Sequence, residues 1–315
     1  MALRAHMKRA LEKALFGLGV PVVGAYLNRR KVVILSYHNV VPDADPPVGD
    51  ASLHMPLSRF QYQLDALDGY FQVVPLETLM ADPVGAGPRA SSRPSDGPRI
   101  QVAITFDDAY RGALTLGLAE LGSRGLPSTV FVCPGLLGCD GFWWDRLADP
   151  AAGLVSRRVQ SHVLNDLGGR QEKALAWARE RCVPLQEMTG LYRPVSSEEL
   201  AEASAFCSLG SHTWGHANLT TIPENEAYVQ LERPLTWLRE RNPETPPMVT
   251  YPYGLTSEPV QGLVDRLGYA AGFLVEGGPT GFRSLARRRF RIPRLNIPRG
   301  ISMEGFVSRV SGVWP

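Results

Sequence analysis

Acidic and histidine side chains stand directly after two apolar runs of the sequence. Asp107 and Asp108 end the segment ITFDD, and His212 and His216 lie four residues apart in SHTWGH. Adjacent buried carboxylates are costly unless they have partners, and two imidazoles at this spacing can reach one ion from a helical turn or a tight loop. One Asp with two His matches a three-ligand metal site that leaves a position open for water. Zinc is the expected ion, with iron or cobalt as alternatives.

Each cluster also has a purely structural interpretation. The two aspartates could cap the helix predicted to begin near Tyr110, and the two histidines could bond to the backbone. A third segment, TYPYG at 250–254, taken alone is typical of an ordinary turn. The joint arrangement favours chemistry, because all three clusters follow predicted strands and α/β folds carry their sites at the C-terminal ends of strands.

Short apolar runs alternate with segments of helical periodicity. The pattern predicts strands at 31–37, 71–74, 100–106, 129–133, 206–210, 248–251, 270–275 and 291–297, with helices between most of them. The strand–helix–strand order favours a parallel sheet. A barrel-like α/β domain fits the count, and an open doubly wound sheet is the alternative. Residues 142–205 read as a largely helical insertion with a capping box at Ser196 and Glu199, and residues 82–99 as a loop rich in Pro, Gly and Ser.

The composition limits the classes of partner. The 315 residues carry a net charge of +2, with 44% hydrophobic and 20% charged residues, ordinary values for a globular protein. No large basic field points to nucleic acid, so none is expected as a partner. None of the four cysteines forms a CxxC pair, which predicts reduced, mostly buried thiols.

The N-terminal segment combines basic residues with an apolar stretch from about Leu15 to Leu27. That stretch is too short for an ordinary spanning helix, and no persuasive small-residue cleavage site follows it. We expect residues 1–30 to be an amphipathic segment that packs on the domain or rests on a membrane surface, with a cleaved export signal as the alternative. The expected location is cytoplasmic, peripheral on the inner face of the membrane. Residues 31–300 form the main domain and 301–315 a C-terminal tail.

The motifs TFDD, SHTWGH and YPYG, in that order after strands, resemble those of the polysaccharide deacetylase family (NodB-homology domain, carbohydrate esterase family 4). The resemblance covers about residues 31–300 and implies a distorted (β/α) barrel of about seven strands with a largely helical insertion. It implies that Asp107 is the catalytic base and that the backbone N–H of Tyr253, in the matching Pro252–Gly254 turn, helps to bind the oxyanion. The implied ligands of a divalent metal are Asp108, His212 and His216.

Two departures from the family pattern affect the predicted site. The family's third motif begins with an arginine that holds the catalytic Asp, but Thr250 occupies that position here; Arg291 and Arg294 are the candidates to replace it. The family's C-terminal Leu-x-His, whose His is the general acid, is missing, since all six histidines lie at or before His216. The LSYH segment that ends the first strand is similar to the YHxV element of a circularly permuted branch. His38 is therefore the predicted acid, with a structural histidine beside the barrel mouth as the alternative.

The resemblance implies metal-dependent removal of N-acetyl groups from amino sugars of a polysaccharide or glycan precursor, by metal-activated water with Asp107 as base and protonated His38 as acid. The expected partner is an N-acetylated glycan or glycolipid precursor. Trp143 and Trp144 are predicted either to stack on sugar rings or to pack in the core. Two other functions stay open at this point: a non-catalytic glycan-binding protein, and an O-acetyl esterase or other amidase on the same scaffold.

Overall fold

A curled, mostly parallel sheet forms the centre of the molecule. The computed structural model describes residues 2–46, 48–81 and 99–313. The strands are β1 Lys31–Tyr37, β2 Asn39–Val41, β3 His54–Pro56, β4 Gln72–Val73, β5 Gln101–Asp107, β6 Thr129–Val132, β7 Ser208–Ser211, β8 Met248–Thr250, β9 Ala271–Phe273, β10 Thr280–Gly281 and β11 Leu295–Asn296. The helices are α1 Ala2–Gly17, α2 Val20–Leu27, α3 Leu57–Tyr70, α4 Leu76–Ala81, α5 Leu118–Ser123, α6 Trp143–Arg146, α7 Arg157–Asn165, α8 Gln171–Glu180, α9 Ser197–Ala203, α10 Glu224–Arg241, α11 Glu258–Leu267, α12 Phe282–Arg287 and α13 Met303–Val310.

Strands β1 and β5 are the longest in the sheet and lie side by side in parallel, from Val32 opposite Gln101 to Tyr37 opposite Phe106. Their apolar runs are buried almost throughout, as expected for strands covered on both faces. The parallel order continues through β6, β7, β8 and β9. This arrangement brings the C-terminal ends of all these strands to one rim.

The two ends of the sheet meet through the segment around β11. Ile292 bridges to Phe273 at the end of β9, and three residues later Leu295 pairs with Leu35 of β1. The sheet therefore curls into a ring of seven parallel segments, which confirms the predicted distorted (β/α) barrel rather than an open doubly wound sheet. Strands β4 and β10 pair only with the N-terminal ends of β5 and β1, and β2 pairs with β3 as a separate two-stranded sheet.

Most predicted elements are present, with shorter bounds for several. The helix predicted from Tyr110 begins at Arg111, continues as a π-helix at Ala113–Gly117 and then as α5. The region 142–205 contains four short helices, and the capping box of Ser196 and Glu199 at the start of α9 is confirmed. The predicted loop at 82–99 lies, except for Arg99, outside the described residues. The cysteines are free thiols as predicted, although only Cys133 is fully buried.

The two ends of the described chain pack together. Helices α1 and α2 both contact α13, which lies within the predicted C-terminal tail. The Asn28 side chain donates to the carbonyl of Ser311 at 2.8 Å, and Ser302 donates to the buried carboxylate of Glu12 at 2.6 Å. The N-terminal segment is thus attached along one face of the domain.

Candidate active site

The predicted metal ligands come together at the C-terminal rim of the sheet. The carboxylate oxygen Oδ1 of Asp108 lies 3.5 Å from Nε2 of His212 and 3.4 Å from Nε2 of His216, and the two Nε2 atoms lie 3.0 Å apart. All three side chains are buried. The segments that follow two non-adjacent strands, β5 and β7, therefore present three donor atoms to one point.

His212 is oriented by Thr250, which replaces the arginine of the family pattern. The ring atom Nδ1 lies 3.0 Å from the Thr250 carbonyl oxygen and 2.6 Å from its hydroxyl oxygen. A carbonyl can only accept, so Nδ1 carries the proton and Nε2 offers its lone pair to the centre of the site. Burial lowers the pKa of His212, although the charge of Asp107 opposes this effect, and the ring stays neutral as a metal ligand must be.

His216 is held by a tight turn rather than by a helix. Its backbone N–H donates to the Thr213 hydroxyl at 3.1 Å, and the N–H of Gly215 donates to the side chain of Gln230 on α10 at 2.8 Å. The His216 ring lies between Trp144 and Tyr253, at 4.4 and 4.6 Å between ring centroids. Burial, followed by the nearby His212, lowers its pKa well below the usual range. The four-residue spacing of His212 and His216 therefore brings the two rings together through a tight loop and not through a helical turn.

Unusual backbone conformations cluster at this rim. Six non-glycine residues of the described chain have positive φ. Four of them, Asp108, Thr213, His216 and Tyr253, belong to the three motifs, and a fifth, Ala109, directly follows the first motif. Such residues typically cost about 1–3 kcal/mol each and persist where the surroundings fix them, most often at functional sites. For Asp108, with φ of +71°, the turn separates its carboxylate from that of Asp107, which still belongs to β5.

Asp107 is paired with Arg294, one of the two candidates to replace the arginine of the family's third motif. Guanidinium atoms Nη1 and Nη2 donate to Oδ1 and Oδ2 of Asp107 at 2.8 and 2.5 Å. Arg294 is fully buried and also donates to the Leu274 carbonyl at 2.7 Å and to the Thr105 hydroxyl at 3.0 Å. Arg291 is exposed, so its predicted support of the base is wrong.

The two neighbouring carboxylates have opposite electrostatic environments. Burial alone would raise the pKa of Asp107, but the charge and hydrogen bonds of Arg294, together with His212, hold it well below its usual range. Burial raises the pKa of Asp108 well above the usual range, and the charges of Asp107 and Asp145 add to this. Asp107 therefore has its compensating cation in Arg294, whereas no cation of the described residues lies equally close to the Asp108 carboxylate.

The chemistry of the donor set fits a divalent cation. Among the described residues, Oδ1 of Asp108 is buried and accepts no hydrogen bond, which is costly for a carboxylate oxygen unless a cation compensates it. The two Nε2 atoms beside it belong to neutral rings and point to the same place. One carboxylate oxygen and two imidazole nitrogens, within 4.8 Å of one another, are the ligand types of catalytic zinc sites.

A cavity of about 400 Å³ opens on the donor atoms. His38 stands on its wall, just beyond β1, together with Asp107 and Tyr253. Burial lowers the pKa of His38 to about 4, against the opposing charge of Asp107. The sequence predicts a protonated His38, but this pKa leaves the ring neutral at pH 7 in the free protein, so it must gain a proton before it can donate one.

The aromatic residues predicted to bind sugar form part of the buried wall. Trp143 and Trp144 are 1% and 6% exposed. The indole of Trp143 donates to the hydroxyl of Tyr253 at 3.0 Å, and that hydroxyl donates to the carbonyl of Gly169 at 3.2 Å. Tyr253 and Pro252 lie in the short turn after β8, as the third motif requires. The two indoles thus pack against the site and present little free face in this structure.

A buried polar chain behind the site was not predicted. Asp145 accepts hydrogen bonds from the Tyr110 hydroxyl at 2.6 Å and from the Asp50 backbone N–H at 2.9 Å, and its carboxylate lies 3.2 Å from Nε2 of His54. The Trp144 indole in turn donates to the Tyr110 hydroxyl at 2.7 Å. The chain fixes the ring that covers His216. The sequence gives little sign of this polar chain, because an Asp that follows two Trp matches no motif with a defined spacing.

Comparison with known proteins identifies relatives at the level of family and fold. The family model described as polysaccharide deacetylase matches residues 95–272, more than half of the chain. The matched range contains all three motifs; His38 and Arg294 lie outside it. No curated protein matches the sequence.

Three solved structures illustrate the similarity of fold. The deacetylase PplD of Streptococcus pyogenes aligns with a TM-score of 0.61 and 15% identity, over 89% of this chain and 98% of its own. A polysaccharide deacetylase from Bacillus cereus aligns with a TM-score of 0.59 and 15% identity, over 89% and 69%. A de-N-acetylase from Aggregatibacter actinomycetemcomitans aligns with a TM-score of 0.54 and 15% identity, over 87% and 98%.

Proposed function

We propose, from the premise that this chain belongs to the polysaccharide deacetylase family, that it hydrolyses the N-acetyl groups of amino sugars in a glycan with the help of a divalent metal. Family membership makes the chain a deacetylase, a hydrolase of amide bonds with a carbohydrate substrate. The observation that carries the proposal is the convergence of Asp108, His212 and His216 beside the ion-paired Asp107, on the floor of one cavity.

Asp108, His212 and His216 are the residues that hold the metal in this proposal, and zinc is the ion that their donor atoms favour. A divalent metal bound there supplies Lewis acidity, which lowers the pKa of water and polarises the acetyl carbonyl. Thr250 contributes by fixing the tautomer of His212 through the contact at Nδ1.

Asp107 acts as the general base. Because Asp108 binds the metal together with the two histidines, the Asp107 carboxylate remains available to accept a proton. It lines the cavity, and its ion pair with Arg294 keeps it ionised. The lowered pKa of Asp107 makes it a weak acceptor, so any proton it takes must move on quickly. Arg294 thus positions the base and limits how long it stays protonated.

His38 completes the transfer of the proton. Its ring is neutral in the free protein, and the charge of Asp107 is the influence that raises its pKa. A proton removed from the attacking water passes by way of Asp107 to His38. The carbon–nitrogen bond then breaks, and the leaving nitrogen takes the proton from His38. The products are acetate and a free amino sugar.

The turn at Tyr253 stabilises the developing oxyanion through its backbone N–H. Its φ of +60° gives this turn a backbone that ordinary residues rarely adopt. The hydroxyl of Tyr253, held by Trp143 and Gly169, fixes the ring and with it the direction of the turn.

Acetate release from an N-acetylglucosamine oligomer tests the proposal. Chelator-treated protein should lose activity and recover it on addition of zinc, and Asp108→Asn and His212→Ala should stay inactive with zinc present. His162→Ala, which removes a partly exposed histidine on α7, is the matched control and should behave as wild type. Activity that survives chelation, or an O-acetylated glycan hydrolysed in preference to the N-acetylated one, would overturn the proposal.

A further inference from the structure

The exposed apolar side chains of this protein are concentrated in its first 27 residues. Fifteen large hydrophobic residues of the described chain are exposed. Eight of them belong to α1, α2 or the turn between: Met7, Leu11, Phe16, Leu18, Val22, Val23, Tyr26 and Leu27. Leu18 and Leu27 are 78% and 71% exposed. We call this set the apolar hairpin surface. Exposed apolar side chains concentrated in one short segment in this way are typical of an interaction site.

One face of the hairpin is already in use. Pro21 and Gly24 are buried, and the close approach of Val313 leaves no room for a side chain at Gly24. With the bond from Asn28 to Ser311, these contacts fix α2 on the domain. The opposite face of α2 carries the exposed apolar residues Val22, Val23, Tyr26 and Leu27.

Because α2 is packed on the domain, the hairpin is better suited to lie along a membrane surface than to cross a bilayer. Among the described residues, no single helix is long and apolar enough to span. Only the pair Arg9–Gly17 and Val20–Leu27 reaches that length and composition, and its axes differ by 74°. Helix α2 has eight residues, well short of the ~20 that a span requires.

The charge of the hairpin and the residues that follow it is predominantly positive. The first 42 residues contain seven Lys or Arg and one acid, Glu12. The carboxylate of Glu12 faces inward, 4% exposed, and accepts the bond from Ser302. Arg9, Lys13 and Arg30 are exposed. The hairpin therefore carries exposed cations as well as exposed apolar side chains, the combination that binds the anionic surface of a bilayer.

A second cavity provides a place for a lipid headgroup beside the hairpin. It has a volume of about 490 Å³ and is lined by Arg9 and Lys13 of α1, by Arg59 of α3, and by residues 300–304. The Arg59 side chain is fixed by donating to the Arg299 carbonyl at 2.7 Å. The acid Glu304 also lines the cavity, so the three cations leave a net positive charge that suits a phosphate group.

We infer that the apolar hairpin surface and this basic cavity dock the protein on anionic phospholipid bilayers, with α1 and α2 lying in the interface. Residues 296–303 connect this region to the active site, because Asn296 lines the catalytic cavity and 300–303 line the basic one. Docking would hold the catalytic cavity at a membrane surface. The inference does not depend on the proposed chemistry.

Co-sedimentation of the full chain with vesicles tests the inference. The protein should bind vesicles of phosphatidylcholine with one third phosphatidylglycerol, bind phosphatidylcholine alone much less, and be released by salt. Leu18→Ser/Val22→Ser/Leu27→Ser should weaken binding at least ten-fold. Arg9→Gln/Lys13→Gln/Arg59→Gln should weaken it by up to about 100-fold, since each cation near an anionic surface contributes about five-fold.

The matched control is Leu154→Ser/Phe206→Ser, which removes two exposed apolar residues far from the hairpin in sequence and should leave binding unchanged. A urea denaturation midpoint equal to that of wild type reports that each variant is folded. Equal binding of wild type to both vesicle types, or equal binding of the hairpin variants and wild type, overturns the inference. So does a hairpin-dependent dimer in the absence of vesicles, because the surface would then be covered by a second copy.

Discussion

Arg294 holds both carboxylate oxygens of Asp107 across 187 residues of sequence, at 2.8 and 2.5 Å, and both side chains are buried. Replacing Arg294 by Met should lower the free energy of unfolding by about 3–5 kcal/mol, because the change leaves an unpaired buried carboxylate. Urea denaturation measures the effect. Arg291→Met, which changes an exposed arginine three residues earlier, should have none.

A double variant separates the charge of this pair from its packing. Asp107→Asn combined with Arg294→Met removes both charges, so we expect it to be more stable than Arg294→Met alone. Acetate release should stay absent, since the base is gone. A double variant as unstable as the two single losses added together would show that the ion pair is not the origin of the effect.

Asp108→Asn should stabilise the metal-free protein. The neutral form of Asp108 is favoured in the fold, so its stabilising contribution is fully present below the ordinary carboxyl pKa of about 3.9 and is lost as the pH rises through the raised folded pKa. Asn has nearly the same size and no charge. At pH 7 with chelator, the variant should exceed wild type by about 1–3 kcal/mol, and the difference should shrink towards pH 4.

The same variant should lose the stabilisation that zinc gives to wild type. Urea midpoints with chelator and with zinc measure both effects. Asp265→Asn, an exposed position on α11, is the control and should change neither. Identical pH dependence of Asp108→Asn and wild type without metal would contradict the assignment of Asp108 as the uncompensated buried acid.

Thr250→Val should weaken metal binding without abolishing it. The substitution removes the hydroxyl 2.6 Å from Nδ1 of His212 but keeps the carbonyl that fixes the tautomer. Loss of such an outer contact typically costs 10- to 100-fold in metal affinity, and the retained carbonyl places the expected loss near ten-fold. Competition with a zinc-binding dye measures it. Thr236→Val on exposed α10 surface should leave the affinity unchanged.

His38→Gln should lower the turnover number at least 100-fold, a typical contribution of a positioned acid or base, and leave zinc affinity unchanged. In wild type, kcat/KM should fall on the acid side near pH 4 and not near 6.5, because the ring must start neutral and burial lowers its pKa to about 4. A variant with the wild-type rate and pH profile would assign the acid to another group.

The sequence predicted those parts of the site that depend on local patterns. Strand β1 has the predicted bounds, because a run of buried β-branched residues needs no distant information. The three predicted ligands converge because polar residues that follow such runs must lie at one rim of a parallel sheet. The choice between Arg291 and Arg294 depended on the pairing of β11, a strand of two residues, with β1. No local pattern sets that register.

Other features depended on contacts that only the folded chain makes. The positive φ of Asp108 and His216 separates neighbouring donors in a way that strand alternation does not predict. Asp145 joins Tyr110, His54 and the backbone at Asp50 from three distant segments. The aromatic pair at 143–144 was equally consistent with a sugar platform and with core, and its contacts with Tyr110, His216 and Tyr253 form only in the folded chain.

The late position of Arg294 in the chain has a consequence for biosynthesis. His216, the last of the three proposed metal ligands, is made 78 residues before Arg294, which at ordinary synthesis rates is an interval of roughly 4–16 s. During that time the nascent chain holds its ligand set, an unpaired carboxylate at Asp107 and an open strand edge at β1. Translation must therefore deliver the β11 segment before the ring can close, and a ribosome stalled in this interval would expose an aggregation-prone edge.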